Sequence, residues 1–453
     1  MHIVNIIFIG IFTVASNYCL GTPLDDYVNT PDPVFSWTRL HTNSLSTHTF
    51  YILNMTSQRW FDDSFSSQAI WWHYLTITVP KAIRRPKTAF LLIAHGENTN
   101  PMPTTDITTE LALIANCITA TIHQIPNQPF HFKSDPLKKS RREDDLIAWT
   151  WKKFLETNGS DPTVLLRFPM TKAVVRAMDT VQQFIQQQNL VAPEEFVIGG
   201  FSKNLGGWTF AFKDYYDLNI TRYTTSPALA KLASMVDPYA YFDRYSKMKI
   251  LQIQGAGDEF FLPDSEDPFW DDLQVATGGS FLQRIPNTGH NVQGFQDSLA
   301  SFYLSVADRT LLPSMKWTRT SNGTHGIIRL AIDFTDGKPK PTAVTAYQAR
   351  TSDTLRRDFR LSKLDRTNGR VVRNPVTWAN TGVQFEVGQI GSTASYSVTI
   401  PIPIDDYWIA TFLQATFPGS QGIRMVLTTE TLILPNTYPT PECHDQECYG
   451  QLV

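Results

Sequence analysis

Ser202, Asp258 and His290 each stand where an apolar run breaks into small or polar residues. Ser202 lies in "FVIGGFSK", with Gly200 two residues ahead of it. A nucleophilic serine needs a sharp strand-to-helix turn with small neighbours, so that its hydroxyl projects clear of a sheet. The second glycine usual in such a turn is replaced here by Asn204. Asp258 closes "ILQIQGAGD", and His290 sits in "FLQRIPNTGHN" ahead of a helical stripe. Serine, then acid, then histidine is a chain order in which a nucleophile, its base and an orienting carboxylate are built on an open α/β sheet. In that chemistry His290 takes the Ser202 proton, and Asp258 orients the imidazole and stabilises its charged form. The oxyanion would meet the backbone N–H of Lys203 and one from "HGEN", at Gly96 or Glu97. Glu259 and Asp264 are alternative carboxylates, with Asp258 then capping a turn. His73, His95 and His123 compete with His290, but only His290 follows the acid and precedes a helix.

The elements that must hold these residues alternate from about Trp71 to Asp308. "WWHYLTITVP" has period two, while "TAFLLIAHG" and "ITATIHQIP" are continuous apolar runs, as in strands covered on both faces. "DDLIAWTWKKFLE" puts Ile147, Trp151 and Phe154 at helical spacing, and "MTKAVVRAMDTVQQFIQQQNL" does so with Val174, Met178, Val181 and Ile185. "EEFVIGG" and "MKILQIQGAGDEFF" read as strands, and a last helix carries Phe295, Leu299, Phe302 and Val306. Strand and helix in alternation predict α/β with a mostly parallel sheet. After "LLPSMKW" only short alternating runs remain, from "GIIRLAIDF" to "IRMVLTTETLIL", separated by turn residues. These predict a β-sandwich-like domain. The expected division is a signal peptide over 1–21, an α/β domain over 22–312, a β domain over 313–435 and a Pro-rich tail over 436–453.

A chain of 453 residues, 42% hydrophobic with net charge −3, has room for two or three domains and carries no nucleic-acid footprint. The basic cluster "KKSRRE" at Lys138–Glu143 reads as a solvated loop, with a processing site as its rival. The apolar stretch from Ile3 to Ala15 is too short to span a bilayer. Small, polar and then acidic residues follow it, as after a secretory signal, with cleavage near Gly21. No later run is long and apolar enough for a span, so the mature chain is expected to be extracellular and soluble. Cleavage removes Cys19, and "PECHDQECYG" then invites a short-loop disulfide between Cys443 and Cys448. A metal site using His444 lacks a fourth ligand, and Cys117 reads as a buried thiol. Sequons at Asn54, Asn158, Asn219 and Asn322 fit a glycosylated exported protein. No cofactor loop is present: "GGFSKNLGG" has neither phosphate-loop nor dinucleotide spacing. The implied partner is a small-molecule or peptide substrate, or a molecule at a cell surface.

Seven motifs in order, "IPNQPFHF", "EDDLIAWTWKKFLE", "FPMTKAVVRAMDTVQQF", "GGFSK", "VDPYAYFDRY", "GDEFFLPDS" and "PNTGHN", resemble the PhoPQ-activated pathogenicity-related proteins. The likeness runs from about Tyr27 to Tyr438. It implies an α/β-hydrolase fold in which Ser202, Asp258 and His290 match the positions of a triad, and it implies no substrate. In that family the "G-x-SK" turn continues into a long helix and another buried parallel strand before a "GGW" segment. Here "GGFSKN" passes almost directly into "LGGWTFAFKDYYD", as if several tens of residues were removed near Lys203–Leu205.

The residues support this by themselves. The 56 positions from Ser202 to Asp258 must hold the elbow helix, a strand, its crossover and the next strand. Parallel neighbours need crossovers of a dozen or more residues. Between Lys203 and Met248 no aliphatic run fits a buried central strand. Losing such a strand and helix strips apolar burial at roughly 25 cal/mol per Å², tens of kcal/mol gross, against a net stability of about 5–15 kcal/mol. A splice product, a skipped exon in the gene model and a divergent, repacked member are the three explanations. Two functions follow: a secreted serine hydrolase acting on an ester or amide bond, or a secreted signalling or binding protein on the same scaffold without turnover.

Overall fold

Runs rich in β-branched and aromatic residues build a seven-stranded sheet in the first half of the chain. A computed structural model describes residues 10–13, 21–200, 210–365, 367–380, 386–438 and 449. These fall into two compact units, one of 10–13, 21–200 and 213–241, the other of 210–212 with the described residues from 242 onward.

The strands of the first unit are β1 (Gly10–Thr13), β2 (Ser36–Ser44), β3 (His48–Arg59), β4 (Ile70–Pro80), β5 (Arg85–Ile93), β6 (Cys117–Ile122) and β7 (Glu195–Gly200). Their order across the sheet is β1-β7-β5-β6-β4-β3-β2. The centre is parallel, β5 pairing with β6 on one side and β7 on the other. The β2–β4 wing is antiparallel, so the sheet is mixed rather than parallel throughout. All six residues of β6 are buried, as expected for a strand covered on both faces. The helix Arg167–Gln187 lays Ala173, Ala177, Val181, Phe184 and Ile185 against Leu53, Ile77, Leu91 and Ile198. Val174 and Met178 sit at the margin of that contact, because the small alanines beside them make the closer approach. Cys117 is a buried thiol outside any disulfide.

β1 lies inside the segment read as a signal peptide, yet its backbone pairs antiparallel with β7, Gly10 opposite Ile198. β7 thus has no parallel neighbour on that side. From 210 to 244 the described chain forms only short helical turns and the helix Pro227–Val236, capped by the Ser226 side chain. β8 (Leu251–Gly255) and β9 (Phe281–Ile285) form a separate parallel pair.

The second unit joins β8, β9 and the helix Gln296–Ala307 to two antiparallel sheets. One orders Ser314–Ser321, His325–Asp333, Thr393–Pro401 and Glu386–Ile390; the other is built around Ala343–Arg350, Ile409–Pro418 and Arg424–Thr428. The unit begins near Phe242, well before the change of sequence pattern near 313, because backbone groups tie these elements together. Arg284 N–H donates to Thr428 Oγ1 at 3.0 Å, and Val426 N–H donates to Ser298 Oγ at 3.1 Å. The last helix is therefore buried through Ser298, Ser301 and Ser305 as well as Phe302 and Val306.

The "KKSRRE" loop is not solvated throughout. Arg141 is buried, paired with Asp135 at 2.9 Å and with Asp145, and its guanidinium lies 4.2 Å from the Trp149 ring centre. Two carboxylates and an aromatic face compensate the buried guanidinium, and removing either carboxylate would leave its charge less well paired.

His73, on β4, is fully buried, with Ser57 Oγ at 3.0 Å and the His123 carbonyl at 3.1 Å from its ring nitrogens. Burial holds its pKa at about 4, below the free imidazole value of about 6.5. The unfolded chain therefore binds a proton that the folded chain refuses between these values, and stability falls as pH drops from about 6.5 to 4, by roughly 3 kcal/mol. Urea midpoints measured across this range are expected to decline steeply in the parent and less in His73→Gln; parallel curves would refute the assignment.

Candidate active site

Asp258 and His290 are brought together by two turns that follow parallel strands. Asp258 comes three residues after β8 and His290 five residues after β9. The His290 Nδ1 lies 3.1 Å from Asp258 Oδ2 and 3.2 Å from Oδ1. A carboxylate only accepts, so Nδ1 carries the hydrogen and Nε2 is left as the acceptor. Asp258 is buried, and its Oδ1 also accepts the backbone N–H groups of Phe260 at 2.7 Å and Phe261 at 3.2 Å. The Phe260 ring centre is 4.5 Å from that of His290, with Phe261 stacked behind at 5.7 Å. The imidazole is thus held at one nitrogen by charge and on its face by aromatic contact.

The other carboxylates weighed from sequence have different work. Asp264 pairs with Arg357. Glu259 Oε2 accepts the backbone N–H of His290 at 2.9 Å, and its Oε1 accepts the Ser362 hydroxyl at 3.2 Å. The competing histidines belong to the first unit. His73 is a core residue, His95 is exposed just past β5, and His123 is partly buried with Nε2 3.4 Å from Thr76 Oγ1. Burial, opposed by Asp106 and aided by His95, keeps the His123 pKa low.

In the first unit, Ile93 of β5 pairs with Gly200 of β7, so the chain leading to "HGEN" and the chain leading to Ser202 leave the sheet side by side. This is the carboxyl end of β5, the point where the chain crosses to β6 on one side and β7 on the other, and such switch points are where open α/β sheets bind ligands. Gly96 has φ +141°, a backbone state that favours glycine. The Glu97 N–H is already given to Asn100 Oδ1, and the Glu97 carboxylate accepts Arg142 Nε–H at 2.6 Å. Of the two "HGEN" donors expected for an oxyanion, Glu97 is therefore engaged within its own loop. Gly199 has a packing reason of its own, since a Cβ there would lie 2.8 Å from the Phe90 ring. Ser202, Lys203, Cys443 and Cys448 lie outside the described residues.

Comparison with known proteins adds the family. The profile described as PhoPQ-activated pathogenicity-related protein matches residues 24–209 and 203–360. The chain belongs to this family. The PhoPQ-related match comes in two pieces meeting at 203–209, where several tens of residues were expected to be missing. Autocrine proliferation repressor protein A of Dictyostelium discoideum is 33% identical over 481 residues, covering 95% of this chain and 94% of that protein. That alignment is longer than the 453-residue chain itself, so the relative has residues for which this PhoPQ-related chain has none. Among solved structures, an S-formylglutathione hydrolase from Agrobacterium tumefaciens is 11% identical, with a TM-score of 0.33 over 60% of this chain and 96% of that one. An acetyl xylan esterase from Paenibacillus sp. R4 is 10% identical, with a TM-score of 0.36 over 62% and 92%. The structure of this PhoPQ-related chain is mixed α/β, extended by antiparallel sheets at its carboxyl end.

The two turns of the Asp258–His290 pair touch through glycine. A Cβ on Gly255 would stand 2.4 Å from the Gly289 carbonyl oxygen and 2.6 Å from that of Thr288, both backbone atoms. Gly255→Ala is expected to push the turns apart and to destabilise by about 1–3 kcal/mol. Gly323→Ala, at a glycine with open space around it, should stay within about 0.5 kcal/mol of the parent in the same urea titration.

Proposed function

We propose that this chain is a secreted serine hydrolase that cleaves an ester or amide bond, peptide bonds included. The observation that supports it is the Asp258–His290 pair, which leaves Nε2 of His290 free to act as a base in the tautomer the pair imposes. Ser202 is the nucleophile. Its proton passes to Nε2 as Oγ bonds to the carbonyl carbon, and the same proton then goes to the leaving alcohol or amine as the scissile bond breaks. Water repeats the step on the acyl-enzyme and releases the acid, returning the serine proton. The backbone N–H groups of Lys203 and Gly96 are the candidates to stabilise the oxyanion.

A second reading is favoured by the absence of a strand among the described residues from 210 to 250 and by the name of the Dictyostelium relative: a signalling or binding protein that keeps the scaffold without turnover. Fluorophosphonate treatment of the native protein, with peptide mapping around residue 202, separates the two. The hydrolase predicts a labelled Ser202 peptide and a labelling rate about 10³–10⁴ lower in Asp258→Asn. An unlabelled, folded protein whose "SKNLGGW" peptide is intact leaves the binding reading.

Export predicts glycans, and the four sequons differ in access. Asn158, Asn219 and Asn322 are exposed, whereas Asn54 lies half-buried within β3 with its Oδ1 enclosed. Glycopeptide mass spectrometry is expected to find occupancy at the first three and none at Asn54; full occupancy at Asn54 would contradict the placement of β3.

A further inference from the structure

We propose that Glu259 is a positioning residue for His290, held in place by the carboxyl-terminal β region, so that this region is part of the site and not a separable partner surface. The inference rests on the reading of Asp258 and His290 as base and orienting acid.

Asp258 fixes only the ring of His290; the main chain that carries the ring must be fixed separately. Glu259 does this by accepting the His290 N–H at 2.9 Å. Its carboxylate lies so close to the neighbouring residue that a Cβ on Gly289 would stand 2.9 Å from Oε1 and 3.0 Å from Oε2. Consecutive acidic residues thus hold one histidine by its ring and by its backbone. A charged acceptor makes a stronger bond to an N–H than a neutral one, which suits a group asked to hold a loop against thermal motion.

Glu259 is in turn anchored from the β region. The Ser362 hydroxyl donates to Oε1 at 3.2 Å. One residue earlier, Leu361 N–H donates to the Gly257 carbonyl at 2.9 Å, and a Cβ on Gly257 would overlap the Leu361 side chain at 2.4 Å. Ala256, between the two close-packed glycines of the acid turn, is fully buried in a cluster with Phe359, Val376, Trp378 and Phe412. The histidine turn is tied to the same place, since Asn287 exchanges two 2.7 Å hydrogen bonds with the backbone of Trp378. Both turns are rooted in the stretch from 357 to 378.

The test reads the geometry directly, without turnover. In one-dimensional proton NMR of the full chain, the Nδ1–H of His290 bonded to Asp258 gives a far-downfield signal, identified by its loss in His290→Ala and Asp258→Asn. Glu259→Ala is expected to speed the exchange of this proton with water about tenfold or more, the factor for losing one hydrogen bond to a charged group. Glu259→Gln, which keeps an acceptor oxygen, should restore slow exchange. Ser362→Ala, a milder change that stands in if Glu259→Ala does not fold, should give a smaller acceleration. Exchange at the parental rate in folded Glu259→Ala, or in Ser362→Ala where the former does not fold, overturns the proposal. So does failure of Glu259→Gln to rescue, or absence of the signal in the parent. Fluorophosphonate labelling of the parent is run alongside: an unlabelled parent with the expected exchange pattern removes the hydrolase reading and leaves Glu259 as the residue that positions His290.

Discussion

The contact on which the second unit depends is the approach of two turns to backbone distance at Gly255 and Gly289. Only glycine lets the carbonyls of Thr288 and Gly289 lie against the end of β8. That approach places Asp258 beside the His290 ring and Glu259 beneath the His290 main chain. A side chain of ordinary size at Gly255 would hold the turns apart, and an isolated buried carboxylate would then have to be desolvated without an imidazole to answer it.

The same economy of space explains why the carboxyl-terminal sheets belong with β8 and β9. Two parallel strands alone expose both faces and both edges, and such a pair does not persist by itself. Here the strands gain cover from the helix Gln296–Ala307 and from Arg424–Thr428, with serine and threonine hydroxyls meeting backbone N–H groups at the contact. The acid turn inserts Ala256 into the aromatic cluster around Trp378 and Phe412. A β region that supplies the floor of the turns cannot be detached from them without loss.

The first unit shows the opposite situation. Its sheet is complete on the β2–β4 side, and at β7 the neighbour is the short antiparallel β1. The strand before Ser202 is thus the last of the parallel set. The family match divides into two ranges that overlap at 203–209, and the alignment with the Dictyostelium protein is longer than this chain. The described residues between 210 and 244, aromatic and half-polar in composition, make only helical elements.

Much of this was legible in residue order alone. Continuous apolar runs predicted the buried strands β5, β6 and β7, and the shortage of aliphatic residues after Lys203 agrees with the described residues from 210 to 250 forming no strand. The serine, acid and histidine order selected Asp258 and His290 before any distance was known. Local pattern was silent on β2 and β3 and took Arg141 for a solvated residue, since its guanidinium is enclosed only when the loop carrying Asp135 folds against the helix that carries Asp145 and Trp149. It also left Glu259 and Asp264 as rivals to Asp258. Only tertiary structure separated the three, sending one to the imidazole ring, one to the histidine backbone and one to Arg357. The sequence alone determined which strands form and in what order the chemistry appears; which carboxylate meets which atom was decided by the close packing of two glycine turns on a β region about a hundred residues further along the chain.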